Sequence, residues 1–315
     1  MFKNCIKTTT LQLLLTIGIT SSTFAQLPST GVSSSGVLDG VYVQEHIPTK
    51  RVIQYTHLRE TDVMWSKRIW RTIDLREKMN HPLFYPEEPL ADRMALWNVI
   101  KYGVLEEGSL TLYHLNGIDL DDQFKHPVKP VNGNVNDPAY RLELEGYFGV
   151  MESNPVMDPE TDEFMLDEET GEQIFKEEVS LYETTDIIRY EIKEDWFFDK
   201  QRSVMDVRII GISPVVYKRN PETRDIMGTE NLFWLYFPEC RYVFQNFFVY
   251  NRANDAMRMS FDDLFWKRQF SSYIHKESNP FDRLVSPTWD GVDALLESEK
   301  IKQEMFKIEH DVWHL

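Results

Sequence analysis

Cysteine is scarce in this chain of 315 residues, which contains only Cys5 and Cys240. Cys5 falls in the leader segment described below, so the exported chain would keep one thiol and form no intramolecular disulfide. Cys240 stands between Phe237 and Phe244, and this apolar setting predicts a packed core thiol rather than a nucleophile. No cysteine stands at the expected cleavage junction. We therefore expect any membrane attachment to come through a partner.

Long apolar runs are also lacking. The run Leu11–Ile19 is far shorter than the roughly 20 residues that span a bilayer. It follows the basic segment Met1–Lys7 and precedes Thr23-Phe24-Ala25, which places small residues at the first and third positions of a cleavage site. This layout predicts a secretory signal peptide over residues 1–25 and an exported chain that begins at Gln26. The alternative is a buried N-terminal helix.

Basic residues are in deficit, with 34 Lys and Arg against 51 Asp and Glu. Removal of Lys3 and Lys7 with the leader leaves 32 basic against 51 acidic side chains, a formal charge of −19. Such a surface repels nucleic acid and anionic lipid, since binding phosphates requires clustered Lys and Arg. We therefore predict no nucleic-acid partner and no direct membrane binding.

Motifs with a catalytic mechanism are missing too: there is no Gly-rich phosphate loop, no Gly-x-Ser-x-Gly elbow and no His-Glu-x-x-His helix. His310 and His314 have the spacing to share a helical face, but no third ligand is indicated apart from Glu309 or Asp311. The sequence thus predicts no catalytic, cofactor-binding or metal-binding residues, and no enzyme. Paired carboxylates for hydrolysis remain open, because such pairs form only in three dimensions.

Acidic residues concentrate between Asp158 and Glu172, where eight acids occur without a base. Calcium loops place oxygens at alternate positions around a glycine, and that spacing is absent. One interpretation is a solvated hairpin whose charges prevent edge pairing. The other is a projecting hairpin that docks on a basic partner.

The order of elements predicts an α+β fold, because helices precede and follow a central run of strands. We expect a central antiparallel meander sheet, flanked by an N-terminal helix pair and by C-terminal amphipathic helices. Residues 26–38 read as a flexible Ser/Thr-rich leader. Residues 39–315 read as a single domain with an acidic hairpin at about 151–179.

Particular spacings support these elements. Trp65, Ile69 and Ile73 recur every four residues and predict a helix from Thr61 to Asn80, followed by a second from Leu90 to Tyr102. Long strands are expected at Tyr182–Phe198 and Ser203–Lys218, and shorter ones at Arg141–Val150 and Arg241–Tyr250. Ser260 and Asp263 form a short capping box before another helix.

The last helix is predicted from about Gly291 to Trp313 and is expected to pack on one side only. Its packed face is drawn from apolar residues at spacings of three, four and seven: Val292, Leu295, Leu296, Met305, Ile308 and Val312.

Several strings together resemble the gliding-motility protein family GldN, called PorN in relatives that do not glide. The resemblance covers residues 39–315 and depends on the joint occurrence of these strings in order. They are Asp62–Asp74, Asn80–Pro86, Trp196–Lys200, Arg208–Pro214, Phe233–Pro238, Ser260–Phe265, Arg268–Ser272 and Lys302–Trp313.

This resemblance implies a non-enzymatic periplasmic subunit of the type IX secretion and gliding machinery of Bacteroidetes. It implies partners in the outer-membrane lipoprotein GldK (PorK), with which family members form a large ring, and in the periplasmic part of the motor component GldM (PorM). It implies no cofactor and no catalytic residue. The alternative hypothesis is a periplasmic protein that binds or hydrolyses cell wall.

Partner binding is predicted at two places. One is the exposed side of the first helix, with Trp65, Lys67 and Arg71. The other is the acidic hairpin, with Asp162, Glu163 and Glu168. The 26–38 leader is a third candidate interface, as an arm that orders on a partner.

Overall fold

An antiparallel sheet of seven strands organises the part of the chain that the structure describes. The structure is a computed structural model. It describes residues 51–312, except 91–92, 115–122, 131–132, 135–136, 156–174, 220–224, 252–253, 255, 282 and 290.

The strands within these residues are β1 (Val63–Asp74), β2 (Leu112–Tyr113), β3 (Gly149–Pro155), β4 (Phe175–Leu181), β5 (Ile187–Asp199), β6 (Val204–Arg219), β7 (Ile226–Asn231), β8 (Trp234–Tyr236), β9 (Phe248–Val249), β10 (Met259–Ser260) and β11 (Tyr273–Glu277). The main sheet has the order β11-β1-β5-β6-β8-β2, and β7 also pairs with β6. Two further antiparallel pairs are β3 with β4 and β9 with β10.

The helices are α1 (His81–Phe84), α2 (Leu96–Lys101), α3 (Pro138–Phe148), α4 (Phe237–Phe244), α5 (Phe261–Trp266), α6 (Val285–Thr288) and α7 (Val292–Val312). Short 3-10 turns cover Glu60–Asp62 and Thr184–Asp186, and a π-helical turn, Tyr102–Glu106, continues α2. The α+β class with a central antiparallel sheet and C-terminal helices is therefore confirmed. The two long strands are confirmed as β5 and β6.

The predicted helix from Thr61 to Asn80 is wrong: this segment forms β1, which pairs with β5 on one side and β11 on the other. A spacing of four places Trp65, Ile69 and Ile73 on one face of a helix, but it also places them on one face of a strand. The β-branched and aromatic residues between them favour the strand. The second predicted helix is shortened to α2. The N-terminal helix pair does not form.

Two of the shorter strands are also corrected. Arg141–Val150 was expected as a strand, but α3 occupies Pro138–Phe148, with the side chain of Asp137 accepting a hydrogen bond from Ala139 N at 3.2 Å. Arg241–Tyr250 begins inside α4, which has Pro238 in its first turn. Proline near a helix start has the required φ and needs no hydrogen-bond partner. The Asp137 cap of α3 and the proline at the start of α4 favour helix over the strand-like composition.

Helices pack on one face of the sheet. Both apolar clusters of the described core contain strand residues that point to that face. Ile69 and Ile73 lie four residues apart on β1 and so point the same way. Ile73 belongs to the larger cluster, with Leu264 of α5. Ile69 belongs to the smaller cluster, with Ile301 of α7. The larger cluster also contains Cys240, whose buried position agrees with the predicted core thiol.

The C-terminal helix is confirmed as α7, but its predicted packed face is partly wrong. Met305 is buried as expected. Val292, Leu295 and Leu296 are instead exposed, and Ile301 is buried in their place. The stripe that packs inward contacts mainly the edge strand β11 and the short helix α6.

The predicted signal peptide, residues 1–25, and the predicted flexible segment, residues 26–38, lie outside the described residues. The acidic hairpin lies outside them in part, because β3 and β4 pair but the chain between them is not described. Those predictions stay predictions.

Substitution of Gly211 by Ala tests the packing over β6. A Cβ there would lie 2.6 Å from Phe124 Cζ and 3.1 Å from Trp234 Cε3, so the Phe124 ring must move. We expect the free energy of unfolding to fall by about 1–3 kcal/mol, measured by urea unfolding. Gly228→Ala in β7, where a Cβ meets nothing within 4 Å, is the control and should stay within about 0.5 kcal/mol. Equal values for the two variants would contradict this packing.

Candidate functional site

The carboxylate of Glu194 lies at the centre of the candidate site. Its side chain is on β5 and is fully buried. Oε1 accepts a hydrogen bond from Arg268 Nη1 at 2.7 Å, and Oε2 accepts one from Arg268 Nη2 at 3.1 Å. Arg71 Nε and Trp196 Nε1 each donate to Oε2 at 3.1 Å. A buried carboxylate without partners costs several kcal/mol, so these four hydrogen bonds allow the charge to lie here.

Two guanidinium groups share the ring of Trp196. Arg71 Cζ lies 5.6 Å from the ring centroid and Arg268 Cζ lies 5.4 Å from it. Burial lowers the pKa of Arg71 from its ordinary value, and the neighbouring carboxylate of Glu194 opposes that shift. The indole face offsets part of the repulsion between the two cations. We call Arg71, Glu194, Trp196 and Arg268 the Glu194 cluster.

The Glu194 cluster occupies the boundary between the two apolar clusters. On β1, Arg71 lies between Ile69 of the smaller cluster and Ile73 of the larger one. On β5, Glu194 follows Ile192 of the larger cluster by two residues and so points to the same face. The charged side chains of the Glu194 cluster therefore lie between the two apolar clusters, beneath the end of α5.

The backbone of Arg268 is strained. Arg268 follows the end of α5 with a φ of 52°, in the left-handed region. Arg268 N donates to Phe265 O at 3.1 Å and Gln269 N donates to Leu264 O at 3.0 Å. This pattern ends many helices and usually has glycine at the left-handed position. An arginine there costs roughly 1–2 kcal/mol, which the double hydrogen bond to Glu194 offsets.

The start of α5 is fixed by the predicted capping box. Ser260 Oγ accepts a hydrogen bond from Asp263 N at 3.1 Å, and Asp263 Oδ2 accepts one from Ser260 N at 3.4 Å. This confirms the capping box. With both ends defined, α5 holds Asp262 in its first turn and places Arg268 just after its last.

A second buried ion pair lies beside the Glu194 cluster. Asp262 accepts hydrogen bonds from Arg241 of α4, at 2.7 Å to Oδ1 and 3.2 Å to Oδ2. The guanidinium carbon of Arg241 lies 4.5 Å from the ring centroid of Tyr55 and 5.0 Å from that of Trp266. Tyr55 and Trp266 stack with their centroids 5.6 Å apart. Burial raises the pKa of the Tyr55 phenol, which favours its neutral form.

These groups surround a cleft of about 170 Å³. Its lining residues are Tyr55, Asp206, Val207, Ile209, Phe237, Arg241, Asp262, Phe265, Trp266 and Arg268. Each charged lining residue has an ion-pair partner within the chain: Asp206 with Arg202 at 2.8 Å, Arg241 with Asp262, and Arg268 with Glu194. The two carboxylates in the cleft are thus neutralised by guanidinium groups, an arrangement that fits structural stabilisation better than acid–base chemistry.

The predicted partner-binding residues of the N-terminal region are placed on β1 rather than on a helix. Trp65 is half-buried against the smaller apolar cluster. Lys67 forms an ion pair with Glu277 of β11 at 2.6 Å. Arg71 is buried in the Glu194 cluster and offers little surface to a partner. The structure brings none of these three into the cleft.

Asp162, Glu163 and Glu168, the predicted partner-binding residues of the acidic hairpin, lie outside the described residues. Their role stays a prediction.

Sequence reasoning missed Glu194, Arg241, Asp262 and Tyr55 as site residues. Glu194 was hidden because a charged residue in an alternating strand normally points to solvent. A signal was present at Arg268, which follows a capped helix at the position where glycine is usual.

The described residues also bear on three other kinds of feature: a reactive thiol, a metal site and a membrane-spanning helix. Burial raises the pKa of the Cys240 thiol well above its ordinary value, so its reactive thiolate is suppressed. Within the described ranges, no group of three or more His, Cys, Asp and Glu side chains is arranged to hold a metal ion. Among the same residues, no helix has the length and apolar character to cross a bilayer.

The fold is that of an α+β protein, and the charged clusters among its described residues stabilise the packing of the chain itself. The family described as "Gliding motility associated protein GldN" matches residues 58–314. Because the match covers most of the chain, the protein belongs to the GldN family, and the predicted resemblance is confirmed. No curated protein matches the chain.

Replacement of Arg268 tests the Glu194 cluster. Arg268→Ala leaves the buried carboxylate with one guanidinium, and we expect it to lower the free energy of unfolding by about 3–5 kcal/mol. Arg268→Gly removes the same ion pair but relieves the left-handed backbone, so it should be about 1 kcal/mol less harmful than Arg268→Ala. Chemical denaturation of both variants measures this difference.

Arg76→Ala is the matched control, because Arg76 pairs with Asp74 at 2.6 Å but is largely exposed. It should cost less than about 1 kcal/mol. A loss for Arg268→Ala no larger than that of Arg76→Ala would contradict the structural role of the cluster.

Proposed function

We propose that this GldN-family chain is a periplasmic structural subunit of the type IX secretion and gliding machinery, acting by assembly rather than by catalysis. The observation that carries the proposal is the family match over residues 58–314. In this proposal, copies of the chain form a large ring with the outer-membrane lipoprotein GldK (PorK). They also contact the periplasmic part of GldM (PorM), which couples the ring to the motor for protein export.

Features of the sequence support export and indirect membrane attachment. The predicted signal peptide, residues 1–25, has a basic start, a short apolar run and small residues before Gln26. No cysteine is present near that junction to carry a lipid. The acidic net charge argues against direct binding to anionic lipid, so a lipoprotein partner would hold the chain at the inner face of the outer membrane.

The site supports an assembly role over the cell-wall alternative. A glycoside hydrolase needs two carboxylates on either side of a sugar, one of them free to act as an acid. In the described cleft, Asp206 and Asp262 are each paired with an arginine. A rigid, internally neutralised core suits a subunit that must transmit load between partners.

Assembly is tested by light scattering of the purified protein, alone and co-expressed with GldK from the same bacterium. We expect a very large complex of defined mass only in the co-expressed sample. A protein that stays monomeric in both samples would contradict the ring proposal. It would direct attention to the cell-wall alternative, which digestion of purified cell wall tests.

Charge reversal tests the predicted docking residues in the same assay. The triple variant Asp162→Lys, Glu163→Lys and Glu168→Lys should reduce the recovery of the large complex if the acidic hairpin binds a basic partner surface. The matched control reverses three exposed acids elsewhere, Glu60, Glu106 and Glu107. Equal recovery of complex from both triple variants would remove the hairpin from the interface.

A further inference from the structure

Helix α7 has two apolar faces, and only one of them is covered. Ser298, Ile301 and Met305 point inward and are at most 6% exposed. Beside this inward face, about 60° to 160° around the helix from Ser298 at 100° per residue, lie four apolar side chains. Their exposed fractions are 70% for Val292, 56% for Leu295, 63% for Leu296 and 69% for Phe306. We call these four, with Glu299 and Lys302 between them, the outer stripe.

An exposed apolar stripe of this kind marks an interaction surface in most soluble proteins. Trp289, which follows α6 and precedes α7 in the chain, is also 46% exposed. Its middle is charged: Lys302 Nζ lies 3.3 Å from Glu299 Oε2. A partner for this surface must therefore match apolar ends and a charged centre.

We propose that the outer stripe pairs with the outer stripe of a second copy of this chain, with the two α7 helices antiparallel. A two-fold axis between residues 300 and 301 places Glu299 of one copy opposite Lys302 of the other, twice. The same axis places Leu295 opposite Phe306, also twice. The charged centre and the Leu295–Phe306 contacts are then complementary to themselves, as a two-fold contact requires. Val292 and Leu296 lie at the edge of this contact, because the same axis sets them opposite Glu309 and the inward-facing Met305.

Other arrangements leave this pattern unmatched. A parallel pair would set Glu299 against Glu299 and Lys302 against Lys302, which is repulsive. A wholly apolar partner would desolvate the Glu299–Lys302 ion pair and supply no further hydrogen-bond partner to either group. Charge complementarity therefore selects the antiparallel second copy.

The contact should be weak when alone. A helix of 21 residues is roughly 30 Å long, and one helix pair covers less than the roughly 800 Å² per partner of a standard interface. This pairing needs no lipoprotein, and it goes beyond the ring contacts of the proposed function. It can be measured on the purified chain by itself, so it can fail while ring assembly succeeds, and the reverse.

Sedimentation velocity over a wide range of protein concentration tests the pairing. The wild-type chain should form a reversible dimer. Glu299→Lys should weaken dimerisation by at least about fivefold, because it replaces two attractive pairs by two repulsive ones. Lys302→Glu should weaken it similarly. An equimolar mixture of the two variants should restore it, because every facing charge pair is then opposite in sign.

Glu304→Lys is the matched control, since Glu304 is exposed on α7 but lies about 140° around the helix from Glu299. It changes the net charge by the same amount and should leave dimerisation unchanged or slightly stronger. Thermal unfolding of each variant verifies that α7 stays in place. A wild-type chain that remains monomeric at every concentration overturns the proposal. So does a mixture that fails to restore dimerisation.

Discussion

The burial of one carboxylate, Glu194, is the constraint on which the described core depends. This charge is tolerated only because Arg71, Arg268 and Trp196 supply hydrogen bonds from three separate parts of the chain. To supply them, α5 must end where Arg268 can reach the sheet, and β1 must lie beside β5 in its observed register. The ion cluster thereby fixes how the helices dock on the sheet, which apolar packing alone would specify less sharply.

The same constraint explains the character of the cleft. Glu194 forms an ion pair with Arg268, and Asp262 forms one with Arg241. These charged groups around the opening are therefore neutralised within the chain. Among the lining residues, the ring of Trp266 is left 46% exposed. A core that is neutralised internally, with apolar and aromatic groups left at the surface, is suited to assembly with other proteins. Membership of the GldN family agrees with that character.

The sequence predicted the parts of the fold in which local and long-range preferences agree. The β5–β6 hairpin, the capped α5 and the long α7 each had consistent patterns. It failed at β1, because apolar residues four apart satisfy a helix and a strand equally, and the residues between them and the pairing with β5 and β11 decide for the strand. It also failed at Glu194, because alternation indicates which residues share a face but not which face becomes buried. The two arginine partners of that carboxylate are 74 and 123 residues away in sequence.

Amide hydrogen exchange of the Glu194→Gln variant tests most directly whether the cluster joins the two apolar clusters. Gln keeps the size of the side chain but leaves the buried guanidinium of Arg71 and the partly buried one of Arg268 without a carboxylate. If the account is right, protection in β1, β5, α5 and α7 falls together and by a similar factor, since these elements open as one unit. Loss of protection confined to the end of α5, with β1 and α7 unchanged, would contradict it.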